Sequence, residues 1–239
     1  MDSTIHRGLI ILATGAWTTS IFPEMKDMIK PIGQPVIHLQ VPPSLQDMFA
    51  TENCPVWAAD LANLGFYGFP LVKGENIVKI AHHGNGYTYQ QNNNYMPKTV
   101  ISDPTTGSRI PLKAVHAFRT FLNGHFPHLA QLDITHTRMC WYTDSWDGHF
   151  YITRVPGHPN LIVATGGSGH GFKFMPVIGD IVVDVINGVD TEATRRFQWR
   201  QPMGETKEEC RGHFGNPDCL NTVILATDAD LKSNALCHL

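Results

Sequence analysis

Apolar and polar positions divide this chain into short strands with a few helices between them. Alternation of apolar and polar residues predicts strands over 34–41, 56–62, 64–69, 77–83, 132–143, 150–153 and 161–165. The apolar run 8–17 predicts a buried strand that ends at Gly15, and a short turn or helix follows between Ser20 and Lys30, which Pro31 closes. Residues 84–97 are polar and irregular and predict a loop.

Two segments have the apolar spacing of helices. The first runs from Pro111 to Leu122, and Gly124 and Pro127 end it. The second, 175–186, directly follows a glycine-rich loop. Strands with short connections, combined with these helices, predict an α/β fold of the mixed (α+β) kind.

Size and charge narrow the class of protein. A chain of 239 residues, 42% hydrophobic, can bury a substantial core in one or two domains. The formal net charge is −3 and no basic stripe is visible, so we expect neither a nucleic acid nor an anionic membrane as a partner. Apolar runs stay below the about 20 residues of a membrane-spanning helix, and residues 1–7 are polar, so neither insertion nor secretion is expected.

Cysteine and histidine usage bears on compartment and metal binding. The five cysteines are odd in number and scattered, which favours a reducing compartment over a disulfide framework. Among the 13 histidines, the nearest metal-like grouping is Cys210, His213 and Cys219. Its spacing lacks the paired ligands of a structural zinc site, so we predict no metal.

The glycine-rich loop is the most informative segment for chemistry. An apolar run at 161–165 breaks into 166–171, where five of six residues are Gly or Ser and the other is His170. Such a loop lets backbone N–H groups approach a ligand closely, and the helix start predicted behind it would favour an anion or carbonyl. The spacing is not that of the G-x-G-x-x-G fingerprint, and no ribose-binding acid follows on a second strand, so a nicotinamide dinucleotide is disfavoured.

Two motifs resemble the C-terminal signature of the sarcosine oxidase-like flavoenzymes. They are Cys-Trp-Tyr-Thr-Asp at 140–144 and Gly-Gly-Ser-Gly-His-Gly-Phe-Lys-Phe at 166–174. This family of DAO-type flavoenzymes includes fructosyl amino acid, pipecolate and saccharopine oxidases. Segments 8–17, 66–70 and 77–84 look like further family motifs, so the resemblance extends from residue 8 to about residue 200.

The resemblance implies part of an FAD-binding Rossmann-like domain and a substrate domain with an antiparallel sheet. The implied domains are a partial FAD-binding domain (1–33), the substrate or catalytic domain (34–136), a return to the FAD-binding domain with the flavin loop and a long helix (137–190), and a C-terminal tail (191–239). The family opens with a βαβ unit whose glycine loop holds the FAD pyrophosphate, and Met1–Arg7 leaves no room for it. We therefore expect the chain to correspond to the C-terminal half, with a second chain as one source of the other half.

Three residues acquire catalytic roles through the resemblance: Lys79, Tyr67 and His83. Lys79, inside an apolar segment, would face the flavin and stabilise superoxide as electrons pass to O₂, although the pattern alone also fits a snorkelling or edge-strand lysine. Tyr67 and His83 would line the substrate cavity and orient the amine; ordinary strand packing is the alternative for the tyrosine.

The implied cofactor is FAD, joined by a thioether bond to Cys140, which would otherwise be a small buried hydrophobe. The resemblance assigns cofactor contacts to Cys140, Gly15, Ala16, Trp17, Gly167, Ser168, Gly169, His170, Gly171, Phe172 and Lys173. It also assigns substrate binding to Lys173, His170 and Tyr67, with Lys173 paired to the substrate carboxylate.

The implied reaction is oxidation of the C–N bond of a secondary amine or amino acid by O₂, giving an imine and hydrogen peroxide. Two alternatives stay open: a tailoring flavin oxidase of a biosynthetic pathway, and a truncated, non-catalytic remnant without the dinucleotide-binding half. The terminal Cys237-His238-Leu239 fits the broad pattern of a peroxisomal address, which predicts a peroxisomal location; an arbitrary tail would leave the protein cytoplasmic.

Overall fold

The computed structural model describes residues 8–72, 74–202 and 217–233. The strands are β1 (Ile10–Leu12), β2 (Ile29–Gln40), β3 (Trp57–Ala59), β4 (Phe66–Gly68), β5 (Ile77–His82), β6 (Tyr87–Thr88), β7 (Gln90–Gln91), β8 (Asn94–Tyr95), β9 (Ile134–Ser145), β10 (Tyr151–Val155), β11 (His158–Thr165) and β12 (Asp218–Cys219). The α-helices are α1 (Thr18–Ile21), α2 (Pro43–Phe49), α3 (Leu112–His125), α4 (Pro127–Ala130), α5 (Ile178–Asn187) and α6 (Glu192–Arg196), with 3₁₀ turns at Gly15–Trp17, Pro23–Met25 and Gly171–Phe174. This mixture confirms the predicted mixed α/β class.

The described residues form two compact units. The first unit contains residues 8–32, 91–96 and 142–202, and the second contains 33–90, 97–141 and 217–233 without residue 73. The functional domains that the sequence predicts stay a prediction. In the described ranges, no helix is both long and apolar enough to cross a membrane.

The first unit contains a three-stranded sheet in the order β1-β11-β10. Strand β1 runs parallel to β11, and β10 runs antiparallel to it. Two apolar clusters form the core of this unit. One is built on Met25, Met28, Ile29, Tyr151, Val155 and Val163, and the other on Phe150, Ile152, Ile162, Val185 and Phe197. Residues of the tail, such as Phe197, therefore pack on the sheet.

The sequence prediction of a buried first strand was wrong. In β1 and just before it, Leu9, Ile10 and Ile11 are 40%, 57% and 41% exposed. Among the described residues β1 pairs only with β11, so it is an edge strand that lacks a second neighbour. Apolar residues on an exposed edge strand are normally covered by a further strand or by a partner.

The step from the glycine loop to the last long helix also differs from the prediction. The 3₁₀ turn Gly171–Phe174 and residues 175–177 separate the loop from α5, which begins at Ile178 instead of near Met175. The field of a helix end falls off within about one turn, so α5 contributes little positive potential at the loop itself. The helix ends at Gly188, whose φ of 69° is left-handed.

A buried ion pair joins the tail to the rest of the first unit. Arg200 donates through Nε and Nη2 to the two carboxylate oxygens of Asp147, each at 2.6 Å, and its guanidinium carbon lies 4.0 Å from the centre of the Tyr151 ring. The two charged side chains are only 17% and 16% exposed. Burial alone would raise the pKa of Asp147, but the bonds from Arg200 and from the His149 N–H hold that pKa below its ordinary value.

We expect Asp147→Asn to destabilise the protein by about 3 kcal/mol at neutral pH, because it leaves the buried Arg200 without a counter-charge. A lowered pKa contributes stability above the unfolded-state pKa of about 4, and that stability is lost as the pH falls through the folded-state pKa. The difference between wild type and variant should therefore shrink below about pH 4. Urea unfolding at several pH values measures it, and Asp190→Asn, which breaks an exposed pair with Arg195, is the control with no measurable change. An effect of Asp147→Asn that is independent of pH would contradict this explanation.

The second unit contains a larger sheet in the order β12-β6-β2-β5-β4-β3, with β9 also paired to β2. Strands β2, β5, β4 and β3 are successively antiparallel. Helix α3 packs on one face, as its apolar stripe predicts, and buries Val115, Phe118, Phe121 and Leu122. Burial of each such side chain is worth about 1.5–3 kcal/mol, so the contact of α3 with the sheet contributes strongly to the stability of the second unit.

Two local predictions in this region were wrong. Pro31 does not end a helix but lies inside β2, before Gly33, which pairs with β6, and before Val36, where the pairing with β5 begins. A proline is tolerated at a strand position whose N–H is not needed by a neighbour. The polar segment 84–97 is not a solvated loop throughout, because it contains β6, and Tyr87 is only 8% exposed within the core.

Arg119 is a buried cation that the helical pattern of α3 did not reveal. It is 2% exposed and donates to the backbone oxygens of Ala130, Leu132 and Leu231 at 3.2, 2.7 and 2.7 Å. Burial lowers the pKa of Arg119, and Asp133 opposes that effect. The side chain thus joins α3 to the segment after α4 and to the 217–233 segment.

Candidate functional site

One face of the larger sheet carries polar side chains. Side chains alternate between the two faces of a strand. Val78 and Ile80 of β5 lie in the core with α3, so Lys79 lies on the opposite face. Tyr67 of β4 is in register with Ala81, which places it on the face of Lys79. We call this the open face of the second unit because it lies opposite the α3 core; it is defined by Tyr67 and Lys79, which are half-buried, and by Ala81, which is buried.

Cys140 lies on the same face. Its neighbours in β9, Met139 and Trp141, pack into the α3 core and against Gly33 of β2. A Cβ at Gly33 would stand 2.9 Å from Met139 Cε and 3.3 Å from both Met139 Cβ and the Trp141 ring, so a larger residue would require these side chains of β9 to shift. Since Cys140 stands between two core-facing residues, its half-buried free thiol points to the open face.

His83 follows the end of β5 and is fixed by its backbone neighbours. Its N–H donates to Gly65 O at 2.8 Å, while the amide of Gln34 both donates to Gly84 O at 3.0 Å and accepts from Gly84 N–H at 3.1 Å. Burial lowers the pKa of His83, so the neutral imidazole is favoured and can accept a proton. No sequence motif points to Gln34, although its place two residues before Val36 puts it on the open face.

Lys79 and Tyr67 are both oriented by Phe69. Lys79 Nζ lies 4.9 Å from the centre of the Phe69 ring, a cation–π contact, and the rings of Tyr67 and Phe69 are 6.0 Å apart in an edge-on arrangement. Lys79 is half-buried and belongs to no ion pair among the described residues. The open face thus combines an oriented ammonium, a phenol, a neutral imidazole and a thiol.

The glycine loop belongs to the first unit and leaves the end of β11. Gly166 has a φ of 77°, and a Cβ there would stand 3.3 Å from His149 O and Tyr151 N, so this position requires glycine. Ser168, with a φ of 49°, donates its N–H to Thr143 O at 2.9 Å. These contacts fix the loop against the end of β9.

Gly167 differs from Gly166 because no described atom explains it. A Cβ there would meet nothing within 4 Å, and its φ is not left-handed. Glycine at this position leaves the main chain open to the close approach of a flat ligand.

His170 presents a hydrogen-bond acceptor. Its Nε2 lies 2.9 Å from Gly148 O, and because a carbonyl only accepts, Nε2 carries the proton and Nδ1 carries the lone pair. Nδ1 is buried and has no hydrogen-bond partner among the described atoms. In this tautomer His170 would accept a hydrogen bond from a ligand N–H, a role compatible with the cofactor or substrate contact that the resemblance implies.

The turn Gly15–Trp17 lies at the start of the loop. Thr18, which follows it, donates to Gly15 O at 2.7 Å and lies 3.0 Å from the hydroxyl of Thr165 at the end of β11. The structure thus brings the predicted residues Gly15, Ala16 and Trp17 beside the loop residues of the same unit. Trp17 is 45% exposed.

The far end of the loop segment is exposed. Phe172 is 87% exposed, and Lys173 is exposed with its Nζ 5.6 Å from the centre of the Phe174 ring. The remaining predicted residues, Gly169 and Gly171, lie between this end and Gly167, and Gly169 has a φ of 76°. Lys173 is therefore accessible to an anionic group.

The glycine-loop residues of the first unit fit the pyrimidine end of a flavin. The ring system of a flavin is flat and carries both N–H and C=O groups at that end, which suits the open main chain at Gly167 and the free lone pair of His170 Nδ1. In the second unit, considered by itself, the half-buried free thiol of Cys140 has the chemistry for a thioether bond. No group of three or more His, Cys, Asp or Glu residues within the described ranges could hold a metal, and Cys210 and His213 lie outside them.

Comparison with known proteins finds curated relatives that are named as oxidases. L-saccharopine oxidase of Schizosaccharomyces pombe is 33% identical over 219 residues, covering 87% of this chain and 49% of the relative. N-methyl-L-tryptophan oxidase of Salmonella heidelberg is 30% identical over 189 residues, covering 78% of this chain and 45% of the relative. The chain thus spans about half the length of the curated relatives it matches.

A solved structure supports the fold. Fructosyl amine: oxygen oxidoreductase (Amadoriase I) from Aspergillus fumigatus is 28% identical, with a TM-score of 0.71 over 89% of this chain and 48% of that chain. The model of the DAO family, described as FAD dependent oxidoreductase, matches residues 2–185. The resemblance that the motifs indicated is confirmed: the chain belongs to the FAD dependent oxidoreductase family.

Proposed function

We propose that this chain contributes the substrate-oxidising half of a flavin oxidase that acts on the C–N bond of a secondary amine or amino acid. The observation that carries the proposal is the open face of the second unit, with Lys79, Tyr67, His83 and Cys140 on one side of one sheet. The relatives are named oxidases of saccharopine, of N-methyl-L-tryptophan and of fructosyl amine, and each of these compounds is a secondary amine.

The reaction balances in two half-steps. The amine C–H and N–H together lose two electrons and two protons, which leaves an imine that water hydrolyses. Oxygen takes up two electrons and two protons and leaves as hydrogen peroxide. FAD, when bound, carries the electrons between the two half-steps.

Residues of this chain supply the protein side of that chemistry. The phenol of Tyr67 would orient the amine, and the neutral imidazole of His83 would accept its proton. The Lys79 ammonium would stabilise the negative charge that develops on oxygen. Exposed Lys173 would pair with the substrate carboxylate, and His170 Nδ1 would accept from a ligand N–H.

Cys140 is our candidate for covalent attachment of FAD. It is half-buried, free of any disulfide, and turned to the face that carries Lys79. A thioether at this position would keep the cofactor bound through turnover. The contacts of Gly15, Ala16, Trp17 and 167–173 with the flavin belong to the same proposal.

A second chain is our candidate source of the dinucleotide-binding half. The relatives are about twice as long as this chain, and the apolar edge strand β1 is exposed in the first unit. A further parallel strand with apolar residues would cover Leu9, Ile10 and Ile11. Peroxide formation fits a peroxisomal location, for which the terminal tripeptide 237–239, outside the described residues, is the candidate signal.

An amine panel coupled to peroxide detection tests the proposed activity. The protein, purified alone and after co-expression with a dinucleotide-binding half, is given N-methyl, cyclic and fructosyl amino acids, and peroxide and imine-derived carbonyl are measured together. We expect equal amounts of the two products from at least one class. Flavin-loaded protein that yields no peroxide with any class would favour the non-catalytic remnant.

A further inference from the structure

A cluster of cationic and imidazole side chains lies on the open face beside Lys79. It consists of His38 of β2, Lys79 of β5, and His136 and Arg138 of β9, and we call it the cationic cluster. His38 is directly in register with Lys79, and the rings of His38 and His136 are 5.3 Å apart. Two contacts give the direction of β9 along β2: Thr135 Oγ1 donates to His38 O, and Met139 and Trp141 lie against Gly33. The two strands are therefore antiparallel, and this register brings Arg138 beside Val36.

The charges of the cluster are not compensated within the described residues. Arg138 and Lys79 are half-buried, and neither forms an ion pair with a carboxylate there. Glu75 acts on His38 through its charge from an exposed position. Lys79 and Arg138 lie on the two strands that flank β2, and both positive charges act against protonation of His38, which lies between them.

His38 also carries an unsatisfied atom. Its Nε2 is buried and has no hydrogen-bond partner among the described atoms. Burial, followed by the charges of His136, Arg138 and Lys79, lowers the pKa of His38, so the ring stays neutral at neutral pH. An ordinary solvent-exposed position accounts for His136. It does not account for His38, whose Nε2 is buried without a hydrogen-bond partner near Lys79 and Arg138.

A bound anion would give His38 Nε2 a hydrogen-bond partner and would supply a counter-charge to Arg138 and Lys79. A carboxylate accepts two parallel hydrogen bonds from a guanidinium and can accept another from an imidazole N–H. Its negative charge would also offset the repulsion between Arg138 and Lys79. A neutral polar group of the same shape would satisfy Nε2 but leave the charges unbalanced.

We propose that the cationic cluster is a subsite for a second carboxylate of the substrate, and that the preferred amines are amino acids with an additional acid group. The identity of the ligand rests on the proposed function. Binding of the acid group itself needs neither flavin nor turnover, because His38, His136 and Arg138 belong to one sheet of one unit. No local sequence pattern reveals the subsite, because its residues lie on three strands that are far apart in the chain.

Imidazole ¹H–¹⁵N NMR spectra of the full chain test the subsite with glutarate as the probe. We expect glutarate to shift the His38 and His136 signals, assigned with His38→Phe and His136→Phe variants. Glutaramide, which is neutral and equally long, should leave them in place. Arg138→Gln should weaken glutarate binding about tenfold, since it removes a charge-assisted pair. Arg195→Gln, an exposed arginine of α6, is the matched control and should bind glutarate as wild type does.

Two results would overturn the subsite: equal shifts with glutarate and glutaramide, or unchanged glutarate binding in Arg138→Gln. Failure of the proposed oxidase activity would be seen in a different measurement, as flavin-loaded protein without peroxide. The two proposals can therefore fail separately.

Discussion

Replacing Lys79 by methionine will slow reoxidation of the flavin-loaded protein by O₂ about 100-fold or more, while reduction by the substrate amine stays within about twofold. The ammonium is half-buried, oriented by the Phe69 ring 4.9 Å away, and unpaired among the described residues. A charge fixed in this way stabilises negative charge on oxygen without reorganisation. Methionine keeps the length and apolar stem of lysine but removes the charge.

Stopped-flow spectroscopy separates the two half-reactions of this variant. Lys232→Met, which breaks an exposed pair with Asp133, is the control for loss of one positive charge and should reoxidise as wild type does. Lys79→Arg should retain much of the rate because it retains the charge. Equal reoxidation rates for Lys79→Met and wild type would show that this lysine does not promote the reaction with O₂.

Gly167→Val will weaken flavin binding about 10- to 100-fold and leave the stability of the protein unchanged. A Cβ at Gly167 meets nothing within 4 Å, so the folded chain has room for the larger side chain. A ligand that approaches the main chain closely would clash with it, and overpacking costs about 1–3 kcal/mol. The combination of intact folding and lost binding separates a ligand contact from a structural role.

Urea unfolding and flavin titration measure the two halves of this prediction. Gly179→Val is the matched control, because a Cβ at Gly179 of α5 also meets nothing within 4 Å and the residue lies beyond the glycine loop. That variant should bind flavin as wild type does. Wild-type flavin affinity in Gly167→Val would mean that the loop does not contact the cofactor at this residue.

The strands with one buried face could be predicted from the sequence. In β5 the alternation of Val78 and Ile80 with Lys79 gives both the strand and the placement of the lysine on the face opposite the core, because burial on one face imposes a two-residue period. The apolar stripe of α3 predicted its core contacts for the same reason. The family motifs supplied the functional meaning of the residues on the open face, which periodicity alone does not contain.

Features that depend on distant partners could not be predicted. The apolar residues of β1 look locally like those of any core strand. Whether they are buried depends on strand neighbours that are distant in sequence: β11, on one side, lies some 150 residues along the chain, and no described strand pairs on the other side. The pairing of Arg119 with Leu231 O joins segments more than 100 residues apart. Pro31 and Tyr87 were misjudged because local propensity was overruled by the sheet in which they lie.

The grouping of His38, His136 and Arg138 was missed for a related reason. Each residue is an ordinary polar position of an alternating strand, and only the pairing of β2 with β5 and β9 brings them together. A search for polar residues on the face opposite the core would have found them once the strand order was known.

The central claim, that this chain carries flavin on Cys140, is tested most directly by the visible spectrum of purified protein before and after acid precipitation. The wild type should keep its flavin absorbance in the precipitate, Cys140→Ala should lose it, and Cys54→Ala, another half-buried free thiol, should keep it. Flavin that washes out of the wild type, or that stays with Cys140→Ala, would contradict the account.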